Sequence, residues 1–201
     1  ELPRPAEITA DATGKAQVVD TRPWANFKKG HLPGAVWSPL GKNFHSFAGS
    51  YLDPDRDTVI VAPEGDVEEC VRALVRMGFD RIIGWASPEA VTRAGGLATS
   101  EDISPEEFVE ARSRGVFVLD VRRAGEYATA MAPGSTHIAH TRLATRLDEL
   151  PKDATLYVHC RSGVRSAAAV SLLEREGFRA INVAGGINGY IKAGGETAPG
   201  A

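Results

Sequence analysis

The sequence predicts an α/β protein made of two homologous halves, each a mainly parallel sheet flanked by helices. Three observations predict it. First, an internal repeat runs through the chain: Val18-Val19-Asp20-Thr21-Arg22 with Pro33-Gly34 returns 100 positions on as Val118-Leu119-Asp120-Val121-Arg122 with Pro133-Gly134. Thr58-Val59-Ile60-Val61 matches Thr155-Leu156-Tyr157-Val158, and Gly78-Phe79-Asp80-Arg81-Ile82 matches Gly177-Phe178-Arg179-Ala180-Ile181. The offset drifts from 100 to 97 to 99, as small insertions in loops between shared elements produce. Second, short apolar runs alternate with segments of helical period, the pattern of parallel α/β units. Third, helix-start signals fall between those runs.

Taken along the chain, Thr58–Val61 is a strand of the first half. The segment after it is helical: Asp66-Val67-Glu68-Glu69 reads as a helix start, and Val67, Val71, Leu74 and Val75 form a buried stripe. Ser87 to Asp102, rich in Ala, Gly, Ser and Thr, reads as the linker, with the domain boundary near residue 98. In Ser104-Pro105-Glu106-Glu107 an N-cap Ser, a Pro at the first helical position and a Glu three residues on make a capping box leading into Phe108 and Val109. Val116–Leu119, Thr155–Val158 and Ala180–Val183 are strands of the second half, and an Ala-rich helix follows residue 166.

Composition narrows the class. Of 201 residues, 43% are hydrophobic, enough for a buried core, so disorder and low-complexity fibres are excluded. Two cysteines without a C-x-x-C pair exclude a disulfide scaffold and a structural zinc site, and point to a reducing compartment, the cytoplasm. With 23 basic and 26 acidic residues and no long charge runs, neither nucleic acid nor an anionic membrane is an expected partner. No run approaches the roughly 20 apolar residues of a membrane span. Because the chain opens Glu1-Leu2-Pro3-Arg4-Pro5, with no Met and no signal-peptide apolar region, it is expected to be a piece of a longer polypeptide.

Cys160 is the candidate nucleophile. It ends an apolar strand and is followed by Arg161-Ser162-Gly163-Val164-Arg165-Ser166 and then a helix. A strand-end cysteine before a tight loop and a helix N-terminus meets unpaired backbone N–H groups and the positive end of the helix dipole, which favour the thiolate. Gly163 permits the loop to curl around the sulfur. The competing reading is a packed core cysteine, for which two Arg and two Ser within six residues are poor neighbours. Arg161 and Arg165 either attract an anionic substrate or point outward as solvated charge. Cys70 lies three residues after Val67 and four before Leu74, on the core face of its helix.

These residues carry a resemblance. Asp120-Val121-Arg122 with Glu126-Tyr127, the loop from Cys160 to Ser166, and Gly185-Gly186-Ile187-Asn188-Gly189-Tyr190 resemble a rhodanese (sulfurtransferase) domain over about a hundred residues. The first half resembles the same family through Asp20-Thr21-Arg22 and Gly30-His31-Leu32-Pro33-Gly34-Ala35, but aligning its strand on Thr155–Val158 puts Pro63 where Cys160 stands. Its loop, Glu64-Gly65-Asp66, is two residues shorter and acidic. The resemblance implies two rhodanese-like domains, each a mainly parallel five-stranded sheet: a degenerate, inactive one over 1–98 and a catalytic one over 99–201. The tandem is similar to the C-terminal region of metallo-β-lactamase-fold/rhodanese fusions, so a domain of that kind, fused or separate, is an implied partner, and a relay or docking role is the alternative to turnover.

The activity implied is sulfur transfer from thiosulfate or a low-molecular-weight persulfide to a thiophilic acceptor through a Cys160 persulfide, with no cofactor and no metal. Cys160 is then catalytic, and Arg161, Ser162, Gly163, Val164 and Arg165 bind substrate. Asp120, Arg122 and Glu126 support the loop from behind, Arg122 as partner of a carboxylate beneath it. Cysteine phosphatases use Cys-x5-Arg around a tetrahedral dianion, whereas Cys160 and Arg165 make Cys-x4-Arg, a smaller loop suited to one added sulfur. His159 should face away from the sulfur because strand neighbours alternate. His137 and His140 form only a weak metal motif. Met131 stands where the family usually has a His in Gly-His-Ile-Pro-Gly, while the first half keeps His31.

Overall fold

The computed structural model describes Leu2 and residues 4–200; Glu1 and Pro3 of the opening segment, and Ala201, lie outside the described residues. The chain divides into two compact units, Glu1–Ser100 and Glu101–Ala201. The first runs β1 (Gln17–Asp20), α1 (Trp24–Phe27), β2 (Val36–Trp37), α2 (Phe44–Tyr51), β3 (Thr58–Val61), α3 (Glu64–Val75), β4 (Ile82–Ala86) and α4 (Pro88–Arg93). The second runs β5 (Glu101–Ile103), α5 (Pro105–Ser113), β6 (Phe117–Asp120), α6 (Ala124–Thr129), β7 (Thr136–His137), β8 (Thr155–His159), α7 (Val164–Arg175), β9 (Arg179–Val183) and α8 (Gly186–Lys192). A 3-10 turn spans His140–Thr145.

All strand pairs are parallel, in the orders β2-β1-β3-β4 and β5-β9-β8-β6-β7. Read from its other end the second sheet is β7-β6-β8-β9-β5, so the two orders coincide except at the last strand. Five strands are expected in each half; among the described residues the first has four. There the place of β5 is taken by a single parallel bridge, Glu7 to Trp85, with the Ile8 N–H bonded to Trp85 O at 2.8 Å and the Trp85 N–H to Ala6 O at 3.0 Å. Pro5, just upstream, lacks the N–H that a longer ladder requires.

Every residue of β1 and β3 is buried, as expected where helices cover both faces of a parallel sheet. The Ser104 capping box forms: the Glu107 N–H donates to Ser104 Oγ at 3.2 Å, and the Ser104 N–H donates to Glu107 Oε2 at 2.9 Å. The start expected at Asp66 does not, because α3 begins two residues earlier, after Pro63, with no side-chain cap. Asp66 then sits in the first turn, where a carboxylate complements the helix dipole. Val67, Cys70, Val71 and Leu74 face the core as the stripe requires, while Val75 is half-buried. In α7, by contrast, Ser166 to Leu173 are all buried, the small Ala residues letting the helix sit close against the sheet.

Half of the expected linker is regular structure, since α4 and β5 occupy its two ends. Between them Ala98 exchanges two backbone hydrogen bonds of 2.9 Å with His31. Met131 and Ala198 do the same in the second unit, at 2.7 and 3.0 Å. Positions 31 and 131 therefore each clasp the tail of their own unit. His31 is buried, stacked on Phe27 at 3.9 Å, and burial pushes its pKa down.

Candidate active site

The two sheet registers place the candidate nucleophile. β1 pairs Gln17 with Thr58 and Asp20 with Val61, while β6 pairs Phe117 with Leu156 and Asp120 with His159. Thr58–Val61 therefore corresponds to residues 156–159, one position beyond the alignment on Thr155. The residue at the Cys160 position is Ala62, a buried alanine, and not Pro63. One residue separates Ala62 from α3, whereas three separate Cys160 from α7. The longer loop makes room for the sulfur.

Cys160 is 1% exposed. Its Sγ accepts the Gly163 N–H at 3.2 Å and lies 3.5 Å from Ser166 Oγ, which also bonds Gly163 O at 3.1 Å. Gly163 holds a φ of +98°, a conformation that side chains disfavour, and it caps α7. The N–H groups of Val164, Arg165 and Ser166, first in α7, have no carbonyl within the helix to bond. The loop is gripped from below by α8: the Ile187 N–H bonds Cys160 O at 2.8 Å and the Asn188 N–H bonds Arg161 O at 3.2 Å. That grip depends on Gly186, whose φ is +56°; a Cβ there would overlap the Cys160 carbonyl oxygen and stand 2.7 Å from the Arg161 carbonyl carbon.

The other cysteine lies on the core face of α3. Cys70 is buried, and its thiol is pushed up to about 12, first by burial and then by Asp66 and Glu69. Both cysteines are free.

Of the expected substrate-binding residues, Arg161, Ser162 and Val164 are exposed and Gly163 is buried against Cys160. Arg165 is engaged: its Nη1 and Nη2 donate to Glu126 Oε2 and Oε1 at 2.6 and 2.8 Å. This pair, with the Arg123 N–H, draws the Glu126 carboxyl down to about 2 and raises Arg165, to which the neighbouring Cys160 adds. A cavity of about 350 Å³ opens beside the loop, lined among others by Glu126, Arg161, Ile187, Asn188 and Ile191.

Asp120 and Arg122 lie beneath. Arg122 Nε donates to both Asp120 oxygens at 2.9 Å, and its Nη2 reaches Ala130 O at 2.6 Å. Arg22 repeats this with Asp20 and Gly30 in the half that lacks the thiol, which marks the pair as framework. The same holds for His137, whose Nε2 is 2.8 Å from Arg122 O, as Trp37 Nε1 is 2.7 Å from Arg22 O. Glu126 and Arg165 have no such echo: Asn26 stands at the first position and, at the offset of 99 that pairs Gly78 with Gly177, Asp66 at the second. His159 is fully buried and faces Asp120, 3.7 Å from its Oδ2, and burial lowers its pKa. His140 is pushed down to about 4, first by burial and then by Arg165 and Arg123.

Ser166 and Gly186 are the contributors that sequence reasoning left off the site. A serine in the first turn of the helix after the loop was the signal for one, and a Gly-Gly pair opening a helix the signal for the other.

Fold and site together define a tandem α/β protein in which one unit carries a cysteine loop at a helix N-terminus. The chain matches the Rhodanese-like domain family over residues 6–85 and again over 104–193, and it belongs to that family. It is similar to a sulfurtransferase of Allochromatium vinosum, 33% identical over 85 residues that cover 42% of this chain and 79% of the relative. It is also similar to the thiosulfate sulfurtransferase GlpE of Ectopseudomonas mendocina, 34% identical over 76 residues, 38% of this chain and 70% of that one. A rhodanese-related protein of Thermoplasma volcanium, solved as a crystal structure, is 30% identical over 49% of this chain and 97% of its own, with a TM-score of 0.46.

Proposed function

We propose that this protein is a sulfurtransferase that works through a persulfide on Cys160. The observation that carries the reading is the position of the Cys160 sulfur at the start of α7, under the Gly163 N–H and beside Ser166. Relatives named sulfurtransferase support the class. The Cys160 thiolate attacks the outer sulfur of thiosulfate or of a low-molecular-weight persulfide, and the donor's S–S bond breaks with its electron pair leaving on sulfite or on a thiolate. The new terminal sulfur takes the free N–H groups of the loop and the first turn of α7, donors that need no rearrangement to meet negative sulfur. Cyanide or a thiol then removes that sulfur and restores the thiolate.

The first unit has Ala62 in place of the nucleophile and serves as a supporting domain. Two free thiols suit a reducing compartment such as the cytoplasm, and no helix among the described residues is long and apolar enough to cross a membrane. The likeness to metallo-β-lactamase-fold fusions extends the proposal: such a domain, fused or separate, is a partner with which Cys160 exchanges sulfur. Thiocyanate release from thiosulfate and cyanide tests the reading. Turnover that survives Cys70→Ser and vanishes in Cys160→Ser supports it, turnover that survives Cys160→Ser overturns it, and one stoichiometric release without turnover selects the relay role.

A further inference from the structure

The charges around the loop do not add as the sequence suggests. Of the two cations flanking Cys160, Arg165 is clamped by both oxygens of Glu126, which is 31% exposed against 20% for Arg165, so the pair is partly withdrawn from water and its charges cancel locally. Among the described residues Arg161 is left as the loop's unpaired cation, and it is exposed. Among the described residues the pair occurs only in the unit that has the thiol. The cavity beside the loop has an apolar wall, with Ile187 buried and Ile191 48% exposed, which a small inorganic dianion does not use.

We propose that Glu126 is a specificity-determining residue, and that with the Ile187–Ile191 wall it selects an organic sulfane-sulfur donor with one negative charge at its sulfur end over dianionic thiosulfate. This rests on the sulfurtransferase reading and narrows its substrate class. The reaction balances in both cases. Cys160 thiolate and thiosulfate give the Cys160 persulfide and sulfite, and Cys160 thiolate and an organic thiosulfonate give the same persulfide and a sulfinate. In each the donor S–S bond breaks, the leaving group keeps the pair, and no outside oxidant or reductant is needed.

Thiosulfate, methanethiosulfonate and benzenethiosulfonate form a donor series that separates charge from apolar contact, read as kcat/KM with cyanide as acceptor. The wild type is expected to prefer benzenethiosulfonate. Glu126→Gln removes the charge that opposes Arg165 and should raise thiosulfate relative to methanethiosulfonate by roughly fivefold, the effect of one extra substrate charge in a solvent-screened site. That gain should shrink with added salt. Glu126→Asp, which keeps the charge, should hold the wild-type ratio, and Ile191→Ser should weaken benzenethiosulfonate alone. Equal changes with all donors in Glu126→Gln, or no effect of Ile191→Ser on the aryl donor, overturn the inference while leaving sulfur transfer intact. If no donor places sulfur on Cys160, the sulfurtransferase reading itself falls, and this inference with it.

Discussion

Gly186→Ala tests how the loop is held. The residue has a φ of +56°, and an added Cβ would overlap the Cys160 carbonyl oxygen and approach the Arg161 carbonyl carbon to 2.7 Å. The left-handed conformation alone costs an alanine about 1–2 kcal/mol. The overlap is with backbone, so α8 must retreat from the loop, weakening the Ile187–Cys160 and Asn188–Arg161 bonds at about 1 kcal/mol each. The sum is about 3–4 kcal/mol. Gly134→Ala is the internal control, since Gly134 has a φ of +77° but nothing within 4 Å of its Cβ position. It should lose only the conformational part, about 1–2 kcal/mol. Urea unfolding of both variants measures the difference, and thiol labelling of Cys160 in the native state reports whether the loop has opened. Equal losses in the two variants would refute the claim that α8 grips the loop through this glycine.

Two further outcomes follow from the same geometry. Ser166→Ala removes the hydroxyl 3.5 Å from Cys160 Sγ together with its bond to Gly163 O, and should slow persulfide formation roughly fivefold, the worth of about 1 kcal/mol, while lowering the unfolding free energy by about 1 kcal/mol; an unchanged rate removes Ser166 from the site. His140 is held neutral, pushed down to about 4 from its ordinary 6.5, so the unfolded chain binds the extra proton first and stability is lost as pH falls from 6.5 toward 4. Between pH 7 and pH 5 its share is about 2 kcal/mol, and His140→Gln should flatten the pH dependence of the unfolding free energy by that amount; identical slopes contradict it.

Much of this was legible in the chain. The repeat carried the two-unit architecture because both units keep the same strand order, and the Ser104 capping box was readable because its partners are three residues apart. What escaped depended on contacts across the fold. The missing fifth strand of the first unit is a matter of one bridge at residue 7, beyond the resolution of apolar periodicity. The counterpart of Cys160 was misplaced by one residue because apolar runs of equal character align in either register, and only pairing with β1 and β6 fixes which is right. Arg165 was visible as a charge near the cysteine, but its partner Glu126 is 39 residues away and no spacing rule connects them. Asp120 and Arg122, two residues apart and repeated in both halves, were readable as a framework pair.

The central claim is that Cys160 carries sulfur, and mass measurement of the intact chain tests it most directly. After incubation with a sulfane donor and removal of excess, the account predicts a gain of one sulfur atom per chain, located on the peptide containing Cys160, discharged by cyanide, and unaffected by Cys70→Ser. A chain that gains no sulfur from thiosulfate, an organic thiosulfonate or a persulfide, or that gains it on Cys70, contradicts the account.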